Sequence, residues 1–280
     1  MKKYSFVIDV AKCENCNNCF LSCKDEHCGN DWPGYSISQP LHGQRWMNIS
    51  RKERGQFPHI DVAYLPKPCM HCDDAPCIKA AQNGGVYKRS DGIVVIDPVK
   101  AKGQKAIVGS CPYGAIWWNE EEQVGQKCTF CAHLLDNDWK VPRCVQVCPT
   151  GALSIKHIED QDLAELIQSE KLERLTLGRI STSPRVFYKN LHRFNSCIVA
   201  GSVATGEEGA TECAVGATVR LIEEGQVISE QMTDDFGDFK FDGLLENSGS
   251  YQLEVVFAEK SIRSTVGKLP ESISVGTLWL

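Results

Sequence analysis

Thirteen of the fifteen cysteines lie in residues 1–148, and only Cys197 and Cys213 follow them. No other feature constrains this chain as strongly. Cys13, Cys16, Cys19 and Cys23 form a C-x2-C-x2-C-x3-C run. Cys69, Cys72 and Cys77 form a second group, with Ala81 where a fourth cysteine would stand. Cys128, Cys131, Cys144 and Cys148 form a further group that closes on Pro149, and a lone Cys111 precedes Pro112. An odd count and repeated C-x2-C spacing point to metal ligation. A disulfide scaffold would need oxidising surroundings and would leave one thiol over.

The lone Cys111 is explained by internal similarity. "VIDVAKC" (7–13) aligns with "VIDPVKA" (95–101), which sets Ala101, Gln104, Ile107 and Cys111 opposite Cys13, Cys16, Cys19 and Cys23. "CPYGAIWWN" (111–119) likewise echoes "CPTGALSIK" (148–156). The frame around Cys111 is therefore a cluster-binding run that has lost three of its four cysteines. In bacterial two-cluster ferredoxins the fourth cysteine of one run ligates the other run's cluster. Applied here, Cys69, Cys72, Cys77 and Cys111 make one complete set, while Ala81, Ala101, Gln104 and Ile107 make one with no ligand. The remaining cysteines pair as Cys13, Cys16, Cys19 with Cys148, and Cys128, Cys131, Cys144 with Cys23. Three four-cysteine sets suit three [4Fe–4S] clusters. Zinc also takes four cysteines, but it requires neither the triple run nor the Cys-Pro ends.

The rest of the chain is ordinary. "SFVIDV", "GIVVID", "AIWWN" and "ALSIKHI" read as short strands, with short helices after the triple-cysteine loops. Residues 28–66 read as an ordered loop insertion, either covering a cluster, facing a partner, or without a role. "EDQDLAELIQSEKLERL" (159–175) reads as an amphipathic helix with Leu163, Leu166, Ile167 and Leu172 near one face. From residue 197 strands alternate with turns, as in "SYQLEVVFA", where Tyr251, Leu253 and Val255 alternate with Gln252 and Glu254. The expected fold is α+β: two bacterial-ferredoxin-like modules over 1–158, a helical connector over 159–196, and a small all-β sandwich or barrel over 197–280. Cys28, Cys197 and Cys213 are expected as buried thiols. His27, His71 and His133 lie near the cysteine loops, where ordinary packing or surface placement is expected ahead of tuning a cluster, and Trp117 and Trp118 are expected to pack in the core. A net charge of -6 argues against nucleic acid as partner. No apolar run approaches the roughly 20 residues of a membrane span, and "MKKYSFVIDVAKC" does not read as a signal peptide, so a cytoplasmic location is expected unless a partner supplies export.

These motifs, in this order, resemble the iron–sulfur subunits of molybdopterin oxidoreductases of the dimethyl sulfoxide reductase type. "VIDVAKC", "NNCF", "RWMNI", "PCMHC", "DGIV", "CPYG", "WNEE", "QKCT", "CAHLLD" and "YKNL" are similar to the pyrogallol–phloroglucinol transhydroxylase branch of that family. The resemblance implies a large partner subunit carrying a molybdenum or tungsten pterin cofactor, and chemistry on phenolic rings. Oxyanion, sulfoxide or sulfur-compound reduction is the alternative within the family, and a free-standing polyferredoxin or a zinc module the alternatives outside it. No nucleophile or acid–base constellation suggests a catalytic site on this chain.

Overall fold

A computed structural model describes residues 1–176, 181–206 and 211–280. The chain divides into two compact units, one of residues 1–50 and 64–191, the other of residues 51–63 and 192–280. Strand outweighs helix, 40% against 16%, so helices here serve as short caps on loops rather than as a layer of their own.

The first unit begins with β1 (Lys3–Asp9) and α1 (Asn18–His27). A hairpin of β2 (Asn48–Gln56) and β3 (His59–Lys67) follows, its residues 51–63 belonging to the second unit. Short helices come next among two small hairpins: α2 (Pro76–Ala80), β4 (Val86–Lys88), β5 (Val94–Ile96), α3 (Ala106–Gly109), β6 (Trp117–Asn119), β7 (Val124–Gln126) and α4 (Ala132–Leu135). The unit closes with α5 (Arg143–Gln146), β8 (Leu153–Ile158), α6 (Asp160–Ser169) and β9 (Val186–Lys189). β1 is central to a three-stranded sheet, antiparallel to β8 and parallel to β9. Phe6 and Ile8 on β1 are fully buried, as their apolar run requires. The pairing of β1 with β8 brings the first cysteine run, which leaves β1, close to the Cys148-Pro149 turn, which leads into β8.

Two expectations change in detail. The 28–66 insertion is not all loop, because from Asn48 it forms β2 and pairs with β3. The 159–196 stretch is not a purely helical connector. Its α6 packs Leu163, with Leu166 and Ile167, against Val7 and Phe187, but β9 then joins the sheet beside β1. Residues 177–180 of that stretch lie outside the described residues.

The second unit contains α7 (His192–Asn195), β10 (Cys197–Thr205), β11 (Glu212–Cys213), β12 (Thr218–Glu223) and β13 (Gln226–Met232). β14 (Asp238–Leu244), β15 (Ser248–Phe257), β16 (Lys260–Leu269) and β17 (Ile273–Trp279) complete it. One sheet joins β11, β10, β14 and β17; the other runs β13-β12-β15-β16. Val199, Val219, Phe239, Tyr251, Leu253 and Val255 from both sheets share one core, so alternation along "YQLEV" does mark the inward face. Cys197 is buried, but Cys213, expected inside, is exposed on the two-residue strand β11 and not covered by the core.

A buried guanidinium ties this unit together. The Arg54 side chain is 0% exposed. It donates to both carboxylate oxygens of Asp242, at 2.7 and 2.8 Å, to the Ser196 carbonyl at 3.3 Å, and to Asp61. Bidentate geometry makes such a pair strong, and removing one partner strands the other charges. Arg54→Met should therefore destabilise the second unit by about 3 kcal/mol. Urea unfolding measures this, and an unchanged midpoint would contradict the hub.

Candidate metal centres

Each C-x2-C pair builds the same local turn. The residue two after the first cysteine takes a left-handed conformation: Asn15 at φ 56°, His71 at φ 44° and Phe130 at φ 59°. That conformation costs a non-glycine residue energy, so it needs a reason. Here it aims the amide back at sulfur. His71 N–H donates to Cys69 Sγ at 3.5 Å and Phe130 N–H to Cys128 Sγ at 3.4 Å, and the Asn15 amide bonds Cys13 in the same way. Further amides reach Cys19 from Phe20, Cys131 from Arg143, and Cys111 from Tyr113 and Ala115. The two Cys-Pro turns also match. Gly114 and Gly151 have φ 61° and 64°, and their amides donate to the carbonyls of Cys111 and Cys148.

The thiols are gathered and largely withdrawn from water. Burial pushes those of Cys19, Cys72 and Cys131 up to about 12, and those of Cys77 and Cys128 up to about 11. It also raises Cys13 and Cys111, and holds Cys23 and Cys144 well above the usual thiol range. Neighbouring sulfurs add to burial, and they identify the sets. Cys13 and Cys19 feel Cys16 and Cys148. Cys72 and Cys77 feel Cys69 and Cys111. Cys144 feels Cys131, Cys128 and Cys23. These proximities run largely along the three expected sets. Links also run between groups, from Cys23 to Cys19 and from Cys128 to Cys69.

These residues fit iron–sulfur clusters. Four buried thiolates that repel one another become stable only around a cationic core, which deprotonates them outright. Among the described residues no three His, Cys, Asp or Glu side chains close on a single ion. One set shares a single pocket: Cys23, Cys128, Cys131 and Cys144 line it together with His27, Met47 and Phe130. Amides aimed at sulfur are the bonds that tune such clusters. Two buried donors, His71 Nε2 and Thr129 Oγ1, have no protein partner. His71 carries its proton on Nε2 because Nδ1 accepts from the Val94 amide at 3.1 Å.

The degenerate run keeps the turn without the sulfur. Gly103 stands where Asn15 stands in the first run, with φ 79°, but its amide donates to the Gln123 carbonyl at 2.7 Å. Gln104 accepts from the Gln82 amide at 2.7 Å and donates to the carbonyls of Gln82 and Lys100. Ala101 and Ile107 are fully buried. Side chains and hydrogen bonds occupy this fourth position.

His27, His71 and His133 are all buried, so none is a surface residue. Burial, with His133 beside it, lowers His27 to about 3, and burial also lowers His71 and His133. All three are neutral at neutral pH. Trp46, from the insertion, packs against Cys69 and Cys128 with Trp117 alongside. Sequence reasoning missed Trp46 and the buried Lys127. "RWMNI" offered the aromatic signal for the first, whereas a lysine beside a cysteine gave none for the second.

The cysteine loops fit an iron–sulfur protein, and comparison agrees. Residues 60–158 match the family model of a 4Fe-4S dicluster domain. The pyrogallol hydroxytransferase small subunit of Pelobacter acidigallici is 46% identical over 100% of both chains. A sulfite dehydrogenase subunit of Allochromatium vinosum is 34% identical over 58% of this chain and 72% of its own. A tetrathionate reductase subunit of Salmonella typhimurium is 32% identical over 68% and 73%. The chain belongs to the family of iron–sulfur electron-transfer subunits of the molybdopterin oxidoreductases, together with the transhydroxylase small subunit. No helix among the described residues is long and apolar enough to cross a membrane.

Trp46 fills space between the sulfurs of two groups. Trp46→Ala should leave a cavity there and cost about 3–5 kcal/mol of stability. Denaturant unfolding of the first unit measures the loss, and a cost below about 1 kcal/mol, far under the usual cavity penalty, would show that the ring is dispensable.

Proposed function

We propose that this chain carries three [4Fe–4S] clusters in two ferredoxin-like modules and passes electrons for a large subunit holding a molybdenum or tungsten pterin. The cluster ligands are Cys13, Cys16, Cys19 and Cys148; Cys69, Cys72, Cys77 and Cys111; and Cys128, Cys131, Cys144 and Cys23. Residues 197–280 form a small all-β domain after them. The single observation that carries the reading is the proximity of Cys111 to Cys69 and Cys72, cysteines of a different run. The complex acts in hydroxyl transfer or hydroxylation of phenolic rings. What supports this is the match to the pyrogallol hydroxytransferase small subunit, which spans 100% of this chain, where the two sulfur-compound enzymes match 58% and 68% of it.

When bound, the clusters supply one-electron storage at the potentials their surroundings set. The chain itself does two things. Its left-handed turns aim amides at the sulfurs, which favours the more negative, reduced state. Its aromatic and aliphatic walls exclude water. The proximity of Cys23 to Cys19 and of Cys128 to Cys69 supports an order with the Cys128 set between the other two. Cys16, exposed at one end of that line, gives electrons access to the partner. The substrate is transformed on the partner, and the location is cytoplasmic.

Anaerobic purification should yield about twelve iron and about twelve acid-labile sulfides per chain, together with a much larger pterin-containing chain. Stoichiometric zinc without iron would refute the cluster assignment. Cys111→Ala should lose or convert the cluster of Cys69, Cys72 and Cys77. Low-temperature electron paramagnetic resonance of the reduced protein reads this directly, and three intact cubanes in that variant would rule out the crossed ligation.

A further inference from the structure

Lys127 is only 2% exposed. Its ammonium donates to the carbonyl oxygens of Val94 and, at 3.1 Å, of Cys128. Among the described residues no Asp or Glu pairs with it. Lys88, the other lysine at these loops, also donates to backbone carbonyls, those of His71 and Cys72, but it has Asp73 at 3.0 Å. A buried cation without a carboxylate is expensive unless another anion compensates it. The anions at hand are the cysteines. Its two acceptors tie it to both loops: Cys128 belongs to the third set, and Val94 also donates its amide to His71, which lies between Cys69 and Cys72 of the second. Cys69 and Cys128 themselves share one buried cluster.

The geometry points to Lys127 as a fixed internal counterion shared by the second and third cysteine sets, raising the potentials of both clusters together and leaving the first alone. A cluster gains one negative charge on reduction, so a nearby cation favours the reduced state, and the low-dielectric interior strengthens the effect. The inference rests on the three-cluster reading. Iron analysis of the unmodified complex tests that reading separately, before any variant is made.

Lys127→Gln keeps a hydrogen-bond donor for the two carbonyls and removes the charge. In the complex purified anaerobically, the variant should retain its iron. Two of the three clusters should show a ratio of reduced to oxidised form about tenfold lower at fixed potential, a shift of about 59 mV for one electron. Redox titration followed by electron paramagnetic resonance measures it. Lys127→Arg should keep the parent midpoints. Unchanged midpoints in a fully loaded Lys127→Gln, or an equal shift in all three clusters, would overturn the inference. If Lys127→Gln fails to load, Lys127→Arg decides. Loading with the parent midpoints assigns the role to charge, and failure of the arginine variant too would assign Lys127 a packing role and overturn it.

Discussion

Burial of sulfur is the constraint on which the first unit depends. Most of the cysteines at these loops are withdrawn from water, and that burial pushes their thiols toward the protonated state. A metal core reverses that balance, and the backbone is arranged for the reversed state. The strained turns at Asn15, His71 and Phe130 make sense only with an electron-rich sulfur to receive the amide. The short helices also follow from this. α2, α3, α4 and α5 span only four or five residues each. They are too short to be stable alone; α2, α4 and α5 sit among the cysteine loops, whereas α3 follows the Gln104 hydrogen bonds of the degenerate run.

The degenerate run shows what the same backbone does without sulfur. Gly103 keeps the left-handed turn, but its amide has turned to a carbonyl, and Gln104 has taken over the closure with three hydrogen bonds. Ala101 and Ile107 fill the interior. The turn is thus closed here by hydrogen bonds alone, with no sulfur to receive its amide. Restoring cysteines there would confront a packed interior, where added volume is resisted.

The cysteine sets were legible because ligand spacing is local and the internal repeats expose the crossed pairing. The strands around residues 218–257 were legible because half-buried strands alternate. Other features were hidden for physical reasons. "NISRKERGQ" shows no alternation and reads as solvated charge, yet it forms β2 because β3 pairs with it, and its Arg54 is buried because two carboxylates far apart in sequence converge on it. β9 joins β1 in a parallel pairing across about 180 residues, a contact that no local pattern announces. Lys127 looks like any lysine in "QKCT", since its burial is set by the fold and not by its neighbours in the chain.

On the proposed ligation, the order of the sets puts the ligand-free position at an edge of the array and not inside it. Cys19 neighbours Cys23, and Cys128 neighbours Cys69, so on the proposed ligation the clusters line up as first, third and second. The vanished site shares its two motifs, at Ala81 and at Ala101 to Ile107, with the second set alone. It therefore lay beyond the second set, at the end of the line away from Cys16. On that ligation the three proposed sets remain neighbours without it, because Cys19 with Cys23 and Cys69 with Cys128 link them directly.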